Sequence, residues 1–308
     1  MRNGLFDSNS INNGNSVFGQ GRGPQLDLRP DIPFSTDKIV GIDLTHVIHT
    51  NDVAAAKGGN GGGPGGGGGP GGGGGGGGSS FSPYTSGSSD GSGYNITITF
   101  TGTWTQELYD VFVGAADRLT ALITGDLQDV SVRSRGQVTN VDDITISAEL
   151  GQIDGLYGIL GQAGPTSVRT SNSLPATAQM KFDIVDVQDM GVDVFSDVVL
   201  HEMAHSLGFG SIWDRVGLVS NGQYIGAEAN AEYHAMGGTG FIPVEQDGGS
   251  GTAGAHWDEE TFGNELMTGY INEGNNYFTE MSAAAFQDLG YQTTQDYAAW
   301  ADTGYVLV

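Results

Sequence analysis

Residues 58–78 are glycine throughout, broken only by Asn60, Pro64 and Pro70. A chain of glycines loses more conformational freedom on ordering than any other and has no side chains to bury in return, so this tract is expected to be a flexible linker. It lacks the strict G-X-Y period of collagen. Residues 1–33 are rich in Asn, Ser and Gly without periodicity and are expected to be disordered. Ile39 to Thr50 alternates apolar residues and could form a strand. From about Phe81 the apolar content is enough for a sizeable core. The expected organisation is a disordered or pro-segment region over 1–57, a linker over 58–80, and a folded part in two subdomains, 81–208 and 209–308.

The formal net charge of -25 argues against nucleic acid or an anionic membrane as partner, since both would repel the chain. With no cysteine, disulfides and thiolate metal sites are excluded. No apolar run reaches the roughly 18 residues of a membrane span, and the N-terminus lacks the apolar core of a signal peptide.

Within the folded part, Ile96, Ile98 and Phe100 alternate with threonines, the pattern of a half-buried strand. Trp104 to Thr124 predicts a helix, with Leu108, Val111, Phe112, Ala115, Leu119 and Leu122 on one stripe and Thr103 with Gln106 as a capping box. Asp142 to Ala148 and the alternating Met180, Phe182 and Ile184 predict two further strands, with loop over Gly155–Pro175 between them. Thr279–Leu289 predicts a last helix ended by Gly290. The stretch between Gly208 and that helix is glycine-rich and expected to be irregular.

The chemistry gathers at His201-Glu202-Met203-Ala204-His205. Four residues is about one helical turn, so the two histidines share a face and can bind one zinc ion, with Glu202 beside them as general base. Val198, Val199 and Leu200 favour the helix, Ser196 or Asp193 can cap it, and Gly208 can end it in a left-handed turn. A catalytic zinc takes three protein ligands and leaves one position for water. Three candidates for the third ligand follow: His256, His234 and, as a thermolysin-like carboxylate, Glu228. Asp142, Asp143 and Asp154 could bind calcium.

The combined motifs resemble the leishmanolysin-like metallopeptidases of the metzincin clan. Metzincins commonly read HExxHxxGxxH, and here Ser211 stands where the last histidine would be. In the leishmanolysin-like family an insertion follows the shared glycine, the third histidine lies in a His-Trp context, and an Glu-Leu-Met-Thr-Gly segment carries the methionine turn. This chain matches at Gly208, His256-Trp257 and Glu265 to Gly269, with His256 following Gly208 by 48 positions. The likeness extends to Ile153-Asp154-Gly155, Leu160 to Pro165, Leu174-Pro175, Phe209 to Trp213 and Asp288 to Tyr291. It covers residues 94–291, while the family's cysteines are missing.

The resemblance implies an α+β, two-lobed metzincin-like domain, with a twisted sheet and the zinc helix in the upper lobe and an irregular lower lobe. It implies a zinc endopeptidase acting on protein or peptide substrates. His201, His205 and His256 would be the ligands, Glu202 the base and Met267 the floor of the site, and Tyr270 is a candidate oxyanion donor. It further implies an extracellular, monomeric protein. The apolar end Tyr305-Val-Leu-Val308 resembles a C-terminal secretion signal. Asp43, His46, His49 and Asp52 could block the zinc from a tethered pro-segment. The rival readings are the thermolysin-like site with Glu228 and a non-enzymatic glycine-rich surface protein with a structural zinc.

Overall fold

The computed structural model describes residues 81–307 except 135, 157, 158, 248, 250 and 273, together with two short strands, β1 (Leu26–Asp27) and β2 (Val40–Gly41). In chain order the first half continues with β3 (Tyr84–Thr85), β4 (Ile96–Thr101), α1 (Gln106–Leu122), β5 (Val130–Ser134), β6 (Gln137–Val141), β7 (Ile144–Gly151), β8 (Gly161–Val168), β9 (Pro175–Asp183) and α2 (Ile184–Ser206). The second half holds α3 (Trp213–Val216), β10 (Val219–Ser220), β11 (Gln223–Tyr224), α4 (Ala227–Ala235), β12 (Ile242–Pro243), α5 (Glu259–Phe262), β13 (Tyr270–Ile271), α6 (Glu280–Leu289) and α7 (Tyr297–Trp300). The fold is α+β.

Among the described residues the main sheet runs β2-β8-β9-β7-β4-β3. Strands β4, β7 and β9 are mutually parallel, and β8 runs antiparallel to β9 near the edge. Strand β7 buries every second residue, Ile144, Ile146, Ala148 and Leu150, as the period of a strand with one covered face requires. Helices α1 and α2 pack against each other, and α2 lies across β7, β8 and β9. Where helix and sheet meet, Phe112, Phe182 and Phe195 form an edge-to-face triangle with centroids 5.4 to 6.1 Å apart. Each such ring contributes about 1.5–3 kcal/mol by leaving water.

The helix ends differ from the expected ones for local reasons. Helix α1 is capped by Thr105, which accepts the Leu108 N–H, not by Thr103. Trp104 precedes the cap because its indole donates to the Thr101 carbonyl and its ring packs on Phe100 and Phe112. Helix α2 begins well before the expected caps Asp193 and Ser196: Asp183 caps Val185, and the backbone leaves helical geometry at Gly191 (φ 78°, ψ 166°) before the histidine-bearing part. Thr279 caps α6 and Gly290 (φ 109°) ends it. Strand β7 starts at Ile144 because Asp143 turns inward, accepting the N–H groups of Asn95 and Leu127.

Two expectations are overturned. Gly155–Pro175 contains the eight-residue strand β8, whose Gly, Ala, Pro and Ser give no apolar alternation. Main-chain pairing to β9 holds it, with an irregularity around Ser167. The stretch after Gly208 also carries regular structure, including α4. That helix is held from outside, since Asp288 on α6 accepts the Glu228 and Ala229 N–H groups of its first turn. An anion at these unpaired amides is favourable.

Candidate metal centre

Two elements bring the histidines together. His201 and His205 come from α2, one turn apart, and His256 comes from the loop before α5. All three are fully buried. Their Nε2 atoms form a triangle with edges of 2.8 Å (His201–His205), 3.0 Å (His205–His256) and 3.2 Å (His201–His256). Each ring is oriented from behind. Nδ1 of His201 donates to the Leu266 carbonyl at 2.7 Å, that of His205 to Phe209 at 2.8 Å, and that of His256 to Thr252 at 3.0 Å.

These bonds place the ring proton on Nδ1 in all three, leaving three lone pairs converging on one point. Lone pairs at this separation repel unless a cation lies among them. Zinc held at 2.0–2.1 Å in tetrahedral geometry sets ligand nitrogens about 3.3 Å apart, close to the observed triangle. The donor set fits zinc. Burial drives the histidines down, His201 and His205 well below the usual imidazole value and His256 to about 3, with neighbouring imidazoles adding to the effect. Burial thus favours the neutral form, the one a metal ligand must have.

Glu202 is buried, and among the described residues neither carboxylate oxygen has a protein partner. Burial pushes its carboxyl well above the usual range. A nearby cation would oppose that push. Strand β8 runs directly over it: a Cβ on Gly161 would lie 2.8 Å from Glu202 Oε1, so only glycine lets the strand pass this close.

The approach of His256 to the helix depends on a second glycine. Gly210 has φ +65°, and a Cβ there would fall 1.9 Å from the Ala255 carbonyl. Ser211, where metzincins commonly carry histidine, donates its hydroxyl to the His205 carbonyl at 2.7 Å and closes the helix end. Beneath, Trp213 stacks on Trp257 with centroids 4.8 Å apart, and Phe209 and Tyr224 meet Trp257 edge-on. Met267 is buried, and its carbonyl holds the Trp257 N–H at 3.0 Å. Tyr270 is half-buried on β13, paired through its backbone with Asp27.

The other candidates stand apart from this triangle. Glu228 is half-buried in the first turn of α4, and His234 is exposed on the same helix with its ring bonded to the Gly240 carbonyl at 2.7 Å. Both are helical, where the sequence suggested loops. Asp43, His46, His49 and Asp52 lie outside the described residues. Both oxygens of Asp143 accept peptide N–H bonds, and burial lifts its carboxyl to about 7. Asp142 is lifted to about 6 by burial and by neighbouring Asp129, and exposed Asp154 accepts the Ile159 N–H. Asp143 and Asp154 thus anchor loops, and calcium is not supported.

Sequence reasoning missed Asp183, whose Oδ2 gathers the N–H groups of Ile153, Asp154 and Gly155 and thereby ties the loop before β8 to the start of α2. It also gave Gly161 and Glu265 no task, although both stand within the motifs that carried the resemblance.

The leishmanolysin peptidase family model matches residues 156–303. A leishmanolysin homolog of Crithidia fasciculata is 30% identical over 150 residues, 44% of this chain and 22% of that protein. Leishmanolysin of Leishmania major is 27% identical over 185 residues, 55% of this chain and 30% of its own length. That of Leishmania tropica is 30% identical over 149 residues, 44% and 22% respectively. The chain thus aligns with between a fifth and a third of the length of these curated relatives. It is leishmanolysin-like, and the matched stretch contains the whole histidine triangle.

Proposed function

We propose that this leishmanolysin-like chain is a zinc-dependent endopeptidase, with His201, His205 and His256 holding the metal and Glu202 acting as general base. The observation that carries the reading is the convergence of three imidazole nitrogens beside a buried carboxylate whose oxygens have no protein partner among the described residues. Zinc bound there supplies Lewis acidity toward a peptide carbonyl and makes water a nucleophile near neutral pH. Glu202 accepts the proton of the attacking water and returns it to the departing amine. The carbonyls of Leu266, Phe209 and Thr252 keep the three rings in the tautomer that leaves Nε2 free. The apolar floor around Met267, Trp213 and Trp257 excludes bulk water beneath the centre.

The substrate is read as an extended protein or peptide segment lying along β8, whose start passes over Glu202. The metzincin-like arrangement follows, with the sheet, α1 and α2 above the cleft and residues 209–307 below it. Tyr270 would serve as oxyanion donor from the lower side. The reading includes a monomeric, extracellular enzyme; among the described residues no helix is long and apolar enough to cross a membrane. The N-terminal region is read as a pro-segment, a role supported by the parallel pairing of Val40–Gly41 with Ser167–Val168 of β8. A zinc kept only for structure would leave Glu202 without a task, and a site completed by Glu228 would leave His256 without one.

Glu202→Ala tests the reading. The variant is expected to keep one zinc per chain and to lose peptide hydrolysis by at least about a hundredfold. Hydrolysis at the parental rate would sink the general-base assignment. His256→Ala is expected to lose tight zinc binding, and full zinc retention would remove it from the ligand set.

A further inference from the structure

Glu265 is fully buried two residues before Met267, and it collects more hydrogen bonds than its place in a loop requires. Its Oε2 accepts the Met267 N–H at 2.5 Å. Its Oε1 accepts the Thr279 N–H at 3.2 Å, the Thr279 hydroxyl at 2.9 Å and the Ser282 hydroxyl at 2.5 Å. All four partners are donors, which suits an ionised carboxylate and no neutral side chain of similar size.

The bonds lead in two directions. Ser282 Oγ also accepts the indole N–H of Trp257 at 2.8 Å, and Trp257 directly follows His256. Leu266, between Glu265 and Met267, offers the carbonyl that orients His201. One carboxylate therefore joins the segment that aims His201, the segment that carries His256 and the start of α6. Capping α6 does not account for it, because Thr279 already accepts the Ser282 N–H in that role. Nor does packing, since an apolar side chain would fill the volume without the cost of burying a charge. Burial does lift this carboxyl, to about 7, against the pull of its four bonds.

We propose that Glu265 is a positioning residue that fixes His256 relative to His201, and so sets the affinity and geometry of the metal centre. The proposal rests on the zinc-endopeptidase reading. Its physical content is that ligand sets are held by the groups behind them, whose removal commonly weakens metal binding or activity by about 10- to 100-fold.

The test uses the full chain and Glu265→Gln. Glutamine keeps the shape, but its amide group must face at least one of the four donors. Zinc affinity is measured by competition with a chromophoric chelator, and ligand geometry by the visible absorption of the cobalt(II)-substituted protein. The expected result is a zinc affinity about 10- to 100-fold weaker, altered cobalt bands, and a fall in kcat with KM within about twofold. Ser282→Ala keeps the carboxylate and its bond to Met267 but severs the link to Trp257. It is expected to shift the same readouts in the same direction by less, and it decides the matter if Glu265→Gln does not fold. Parental zinc affinity and cobalt bands in a folded Glu265→Gln, whatever its melting temperature, would leave Glu265 a purely structural group and overturn the proposal. A parental chain that takes up no zinc would instead overturn the zinc reading, and the positioning role with it.

Discussion

Replacing Gly161 by alanine adds one methyl group at the most crowded point above the candidate site. The new carbon would lie 2.8 Å from Glu202 Oε1, 3.0 Å from its Cγ and 3.1 Å from its Cδ. Gly161 is not among the residues with positive φ, so the backbone accepts alanine and the strain falls on the contact itself. Relief requires either β8 to lift from β9 or Glu202 to turn away. Neither is cheap, because β8 is paired to β9 from Gly161 onward and Glu202 is enclosed. Overpacking of this kind costs about 1–3 kcal/mol. If Glu202 gives way, that energy is charged against the transition state, and at 1.36 kcal/mol per tenfold the rate falls about 5- to 150-fold. The assay is steady-state cleavage of a quenched fluorescent peptide, with zinc content measured on the same sample. Zinc is expected to stay at the parental level while kcat falls. Unchanged kcat and KM with zinc bound would refute the reasoning, because it would mean that β8 does not run against the proposed general base.

Asp197 supplies a pH-dependent test away from the proposed metal centre. Burial lifts it to about 6, with Asp302 and Asp193 adding to the lift and Arg118 and the Asn276 amide opposing it. A carboxyl raised in the folded state holds more protons than in the unfolded chain between about 4 and 6, so stability falls as pH rises through that window. Asp197→Asn is expected to raise the melting temperature at pH 7.5 and leave it nearly unchanged at pH 3.5, and a loss at pH 7.5 would contradict this. Removing residues 1–80 is expected to raise the rate of peptide hydrolysis, because Val40–Gly41 would no longer pair with the strand proposed to receive substrate; an unchanged rate would retire the pro-segment role.

What could be read from the sequence was what repeats along the chain. The threonine-isoleucine alternation of β4, the apolar stripe of α1 and the His-x-x-x-His turn each carry a period that the backbone then obeys. Strand β8 has no such period, because its small residues are chosen for what lies against them, Glu202 beneath Gly161 above all. Helix α4 was hidden for a related reason. Its sequence, Ala-Glu-Ala-Asn-Ala-Glu-Tyr-His-Ala, has hardly any apolar face, and its first turn is held by Asp288 from nearly sixty residues away. Asp183 and Glu265 were legible as letters in motifs but not as hubs, since a carboxylate that gathers peptide N–H groups leaves no spacing rule behind. The histidine triangle was the opposite case: two members were announced by helical spacing, and the third needed the His-Trp context to stand out from His234.

The contact of Gly210 with Ala255 has a consequence for the 44 residues between them. Because they depart from and return to one point, they form a loop tied at its neck, and His256 is placed by that neck together with the Thr252 carbonyl and the Glu245 N–H at the loop's returning end. Lengthening such a loop costs little, roughly 0.6 kcal/mol per doubling. An insertion is therefore tolerated where this stretch is exposed and makes no bond to His256. A reporter peptide or a recognition module spliced in at exposed Thr239 would ride on the chain without entering the geometry of the histidine triangle, whereas a single methyl group at the neck would.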